Sequence, residues 1–192
     1  MTTATPVEAG VSLEAWLAAK ECRAARQADW LRRYQQPIIS LTLVTPGTVK
    51  NSLRYRNTMG VALQMCDQLL WENRWPVRDR QVLWENRWPV RDRQVLWLPT
   101  GPEAMWSVAH NAPEIKAHCV ALEQSHPLGR LWDLDVICPQ DGHVGRLSLG
   151  LHMRRCLVCD EPAHVCSRSR KHPVGQVVGG VEKIINDWFA RD

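Results

Sequence analysis

Apolar residues return at helical spacing over residues 12–34, where Leu13, Trp16, Leu17, Ala24 and Leu31 form a stripe that Pro37 cannot continue. The polar side of this helix carries Arg23, Arg26 and Gln27. Residues 37–45 then read as a buried strand closed by Pro46-Gly47, with Lys50 just past the turn. A second helix over 52–70 lines up Met59, Leu63, Cys66 and Leu70. Residues 95–99 and 104–109 flank Thr100-Gly101-Pro102-Glu103 as a hairpin, and a third helix covers 113–124. A strand through 131–136 leads to the turn Gln140-Asp141-Gly142 and a short strand over 143–149. A cysteine-rich stretch over 154–172 separates these elements from a last helix over 181–191. The order predicts an α+β fold: a βαββαβ core in a mixed sheet with helices packed on one face. An N-terminal helix, a cysteine-rich knuckle and a C-terminal helix are added to it.

One stretch breaks the pattern. Residues 71–83 recur residue for residue as 84–96. Solenoids need at least three repeats of about 20 to 50 residues, and a 13-residue period suits no local structure. It rotates a helix through roughly 1300°, about 140° out of register, and in a strand an odd insertion swaps the faces. The duplication therefore reads as passive, with one copy extruded as a loop or added as an extra strand. Deleting either copy gives the same shortened chain. That chain is expected to keep its fold and activity, and a loss of either in a thermal melt or an assay would refute the passive reading.

Composition narrows the class. The 192 residues suit one domain, and 45% hydrophobic content supports a packed core. No run of about 18 apolar residues exists to span a membrane. The N-terminus lacks the basic and apolar regions of a signal peptide. Seven cysteines, an odd number, fit a reducing compartment better than a disulfide framework, which predicts a cytoplasmic protein. The net charge of +4 is modest, and no basic stripe with interleaved aromatics outside the repeat marks a nucleic-acid surface. Only five of the 24 cationic residues are lysines, a bias that suits forked phosphate recognition but also follows from GC-rich coding.

The chemistry concentrates in His126-Pro127-Leu128-Gly129-Arg130-Leu131-Trp132-Asp133-Leu134-Asp135-Val136. A strand has a side-chain period of two, so Asp133 and Asp135 share one face while Leu134 and Val136 fill the other. Two carboxylates held together repel unless a cation lies between them, and Mg²⁺ is the hard cation that such pairs bind alongside substrate phosphates. The bland reading is a solvated acidic face. Gly129 permits a close backbone approach at the helix exit. Arg130, three residues before the first carboxylate, could reach a phosphate or pair with an aspartate. His126 could serve as a general base or as a helix-end cap, the cap being the simpler role. A second cluster, Cys156, Cys159, Cys166 and His172, has the spacing C-x2-C-x6-C-x5-H and fits a structural tetrahedral Zn²⁺, with reduced thiols in a loop as the alternative.

The 126–136 motif and the Arg154-Arg155-Cys156-Leu157-Val158-Cys159 segment resemble the apo-citrate lyase phosphoribosyl-dephospho-CoA transferases. The likeness extends to Arg23, Arg26 and Gln27, to Pro46-Gly47 with Lys50, to Gly101-Pro102-Glu103, and to Cys166 and His172. The tandem copy departs from the family pattern, which has room for one. The resemblance implies one nucleotidyltransferase-like transferase domain over 1–192. It would join 2′-(5″-triphosphoribosyl)-3′-dephospho-CoA to a serine of the acyl carrier (γ) subunit of citrate lyase, releasing diphosphate. It implies Asp133 and Asp135 as Mg²⁺ ligands, with Arg130 at the reacting centre. Arg23, Arg26, Lys50, Gly129 and His126 would contact substrate phosphates. Glu103 and Asp141 are both open as a third carboxylate. A zinc-knuckle adaptor that binds an acyl carrier protein without chemistry is the competing reading, and neither reading calls for a nucleic acid or a membrane.

Overall fold

The structure, a computed structural model, describes residues 9–73 and 93–191. Three helices begin where a side chain can replace the missing backbone partner. Ser12 Oγ accepts from the Ala15 N–H at the start of α1 (Leu13–Tyr34), and Ser52 Oγ from that of Tyr55 at α2 (Leu53–Glu72), both at 3.1 Å. Asn111 Oδ1 does the same for Glu114 at α3 (Ala112–Ser125), at 3.2 Å. The strands are β1 (Ile38–Leu43), β2 (Arg93–Leu98), β3 (Gly101–Ser107), β4 (Trp132–Cys138) and β5 (Gly142–His143). Two further helices, α4 (Ala163–Ser169) and α5 (Val174–Phe189), complete the described chain.

The sheet order is β2-β3-β1-β4-β5, and every pairing is antiparallel. The expected mixed sheet is corrected here. Each crossover helix does return the chain parallel to the strand it left, but β3 inserts between β1 and β2, and β1 between β3 and β4. This is the split βαβ arrangement, in which parallel strands are never neighbours. Helices also cover both faces rather than one. Ile39, Leu41, Trp106, Leu134 and Val136 face the larger core with Met59, Ile115 and Val181 from α2, α3 and α5. On the opposite face Ile38, Met105 and Ile137 pack against Trp30 of α1.

Other boundaries moved for local reasons. The hairpin turns at Pro99-Thr100, because Gly101, at φ +118°, and Pro102 already pair with Leu98 and Trp97. The strand expected over 143–149 stops at His143, and Leu147–Leu149 forms a single tight turn. α4 was not expected, and α5 starts at Val174 rather than 181. Gly179-Gly180 reads as a helix breaker, yet Gly180 sits inside α5 where a Cβ would come within 3.3 Å of the Leu157 carbonyl oxygen. Of the tandem copies, residues 71–73 fall at the end of α2 and 93–96 in β2. The expected loop or extra strand lies outside the described residues.

Candidate active site between helix α1 and the sheet

Alternation along β4 buries Trp132, Leu134 and Val136 in the core and turns Asp133 and Asp135 toward α1. Register places Asp133 opposite Thr42 and Asp135 opposite Ser40 of β1. Glu103 follows on β3, next to the Ala104 that faces Leu41, so it stands level with Thr42. Trp16, Lys20, Arg23 and Gln27 of α1 roof this row and enclose a polar cleft of about 430 Å³, which Lys50 also lines. Gln27 Nε2 donates to Ser40 Oγ at 2.9 Å, fixing the helix against the strand.

A second cleft of about 430 Å³ opens from the same two carboxylates toward Lys116, Arg146, Leu147, Met153, Arg154 and His164, with His143 shared by both. The aspartates therefore stand at the junction of two cavities. Burial and the neighbouring Asp133 charge push the Asp135 carboxyl above its usual range, opposed by Lys116, His143 and Arg154. That electrostatic situation suits a divalent cation.

The predicted phosphate binders divide into groups. Arg23 and Lys50 line the first cleft with the aspartates. Arg23 lies 3.8 Å from Glu103, and Arg26 donates to the other oxygen of the same carboxylate. Lys50 Nζ donates to the Thr45 carbonyl, and burial pulls its pKa down. Arg130, Gly129 and His126 line neither cleft. The Arg130 guanidinium donates to the Arg155 carbonyl, and burial with Arg154 nearby lowers its pKa. Gly129 packs on the end of α3 so tightly that a Cβ would lie 2.8 Å from the Glu123 Cα and closer still to its carbonyl oxygen. His126 stacks on Trp132 at 4.5 Å and meets Trp188 at a tilt at 4.7 Å, its Nδ1 accepts from the Leu128 N–H at 3.0 Å, and burial lowers its pKa. Of the two acids left open as a third carboxylate, Glu103 lines the cleft, whereas Asp141 stands 4.0 Å from Cys138 Sγ near the β4–β5 turn.

Two charged residues of α3 complete the site and escaped the sequence reading. Glu123, with only 2% of its side chain exposed, accepts from the Leu134 N–H at 2.9 Å and from both Arg146 and Arg154. Lys116 Nζ donates to the Leu134 carbonyl at 2.6 Å. Both backbone groups of the residue between the aspartates are thus held by α3, where β5 no longer flanks β4. Arg154 also lies 3.2 Å from Asp133. A signal was present: Lys116 and Glu123, seven residues apart, fall in the same buried helical stripe as Cys119 and Val120.

The cysteine-rich stretch folds back on itself. Cys156, Cys159, Cys166 and His172 bring four ligand atoms within 4.8 Å of one another, with Cys159 Sγ 3.5 Å from Cys166 Sγ and 3.2 Å from His172 Nε2. Ligands about 2.0–2.3 Å from a tetrahedral zinc stand roughly this far apart.

Comparison with known proteins places the chain in a family. The family described as apo-citrate lyase phosphoribosyl-dephospho-CoA transferase matches residues 11–188. Proteins of that name from Escherichia coli O1:K1 / APEC, Escherichia coli O157:H7 (strain EC4115 / EHEC) and Shigella boydii serotype 18 (strain CDC 3083-94 / BS512) are similar. Each is 34% identical over 177 residues, covering 92% of this chain and 90% of the relative. With the match spanning both clefts and the cysteine cluster, the chain belongs to the apo-citrate lyase phosphoribosyl-dephospho-CoA transferase family.

Proposed function

We propose that this protein transfers the phosphoribosyl-dephospho-CoA group from its 5″-triphosphate precursor to a serine of the acyl carrier subunit of apo-citrate lyase. The carboxylate pair at the junction of two clefts, one lined by Lys20, Arg23 and Lys50, carries the reading. In the reaction the serine Oγ bonds to the α-phosphorus, the bond from that phosphorus to the β-phosphate oxygen breaks, and diphosphate leaves. The serine proton passes to solvent or a nearby carboxylate.

Asp133 and Asp135 fit Mg²⁺ as two close oxygen donors on one strand face, and the ion would supply charge neutralisation on the triphosphate and a more acidic acceptor hydroxyl. Lys50 and Arg23 receive phosphate oxygens from the α1 side, and Glu103 keeps Arg23 aimed into the cleft. The α3 clamp on Leu134 keeps the two carboxylates in register, so positioning is settled before substrate arrives. The antiparallel βαββαβ core serves here as a nucleotidyltransferase-like scaffold. None of the seven cysteines is joined in a disulfide, which fits a reducing cytoplasmic setting. No helix among the described residues is long and apolar enough to cross a membrane.

Cys156, Cys159, Cys166 and His172 fit a closed structural zinc site. Elemental analysis of purified protein is expected to return one zinc per chain, and a folded chain free of metal would sink the assignment. Transfer itself is tested by mass spectrometry of the apo carrier after incubation with enzyme, Mg²⁺ and the triphosphoribosyl donor. The expected result is the added mass of the prosthetic group. Carrier binding without that shift would favour an adaptor instead.

A further inference from the structure

We propose that the rim of the second cleft is the docking surface of the protein acceptor, which meets it with an acidic face around an apolar contact. This inference rests on the transfer reading and divides the substrates: donor phosphates enter from α1, and the acceptor hydroxyl enters past the cysteine knuckle.

The first support is charge. Of the six Arg or Lys over residues 142–172, Arg146 and Arg154 pair with Glu123 and Arg155 with Asp160, which leaves Arg168, Arg170 and Lys171 as an excess without an ion pair among the described residues. Arg168 belongs to this excess, is exposed, and makes no ion pair among the described residues. It lies one helical turn after His164, on the α4 face that lines the second cleft. Arg170 and Lys171 continue the exposed basic rim.

The second support is apolar. Leu147 is 68% exposed and Met153 42%, and both line the same cleft, while Val165 beside His164 is 43% exposed. Exposed aliphatic and thioether side chains within a basic rim have the anatomy of a protein interface rather than of a phosphate pocket. The first cleft differs, since Ser40, Thr42, Thr45 and Thr100 line it whereas no hydroxyl side chain among the described residues lines the second. The shared boundary is the carboxylate pair, so an acceptor seated on the knuckle side meets the α-phosphorus across the aspartates.

The test uses Arg168→Glu and Leu147→Ser in the full chain, with zinc content and melting temperature as controls for the fold. Binding of apo carrier is measured by fluorescence anisotropy without donor, and KM for each substrate by steady-state transfer. Each variant is expected to weaken carrier binding about tenfold and to raise the carrier KM to match, with kcat and the donor KM unchanged. Added salt should weaken carrier binding to the native chain more than to Arg168→Glu. Unchanged anisotropy in both variants would overturn the proposal, as would a rise confined to the donor KM. Failure of the transfer reading looks different: a carrier that binds in this charge-dependent way but gains no mass.

Discussion

Asp133→Asn is expected to lower the rate of diphosphate release by about 10²–10³-fold while leaving the fold and carrier binding intact. Asp133 is 45% exposed at its side chain and points away from the core, so no packing is lost. Its ion pair with Arg154 is partly solvated, and Arg154 keeps its bond to buried Glu123 when the Asp133 charge is gone. The substitution preserves shape and removes one negative charge from the proposed meeting place of cation and triphosphate. Half of the carboxylate charge proposed to hold Mg²⁺ would be lost, and burial raises the pKa of the remaining carboxylate, Asp135. Raising Mg²⁺ should recover part of the rate. Rate, carrier affinity and melting temperature measured on one preparation decide the matter. An unchanged rate would remove Asp133 from the chemistry, and a lost fold would show that the strand needed the charge.

The parts legible in sequence were those set by neighbours along the chain. The helices over 12–34, 52–70 and 113–124 follow from apolar spacing along the chain, and the structure adds Ser12, Ser52 and Asn111 as their caps, each bonded to a residue three further on. The same-face placement of Asp133 and Asp135 follows from strand period alone. Strand order did not follow, because β1 becomes central only when the β2–β3 hairpin inserts beside it, a long-range event that no local period records. The side taken by α1 was equally hidden, though it decides that Arg23 lines the cleft with the aspartates. Arg130 shows the opposite case. Its nearness in sequence to Asp133 suggested a phosphate ligand, but the tight turn Gly129–Leu131 leaves its guanidinium on the Arg155 carbonyl, bracing the knuckle. Glu123 and Lys116 were missed since a charged residue in a helical stripe looks like an irregularity until the strand it clamps is known.

Glu123→Ala is expected to cost about 3–5 kcal/mol of stability, the largest single loss predicted for this fold. The carboxylate accepts from Arg146, from Arg154 and from the Leu134 N–H, and its side chain is 2% exposed. Removing it strands Arg146, only 13% exposed, leaves Arg154, 20% exposed, with Asp133 alone, and leaves a buried N–H without an acceptor. Those penalties add to the cavity left by the side chain. Glu123→Gln separates the parts. The amide keeps an acceptor for one donor but loses the charge that offsets two cations, so an intermediate loss is expected. Because a domain is stable by only about 5–15 kcal/mol, the alanine variant should populate unfolded chain at growth temperature. Urea unfolding monitored by tryptophan fluorescence gives the comparison directly. A loss below about 1 kcal/mol for alanine, the scale of an exposed pair, would mean that water reaches Glu123. The aspartates would then lack the rigid support that sets their spacing.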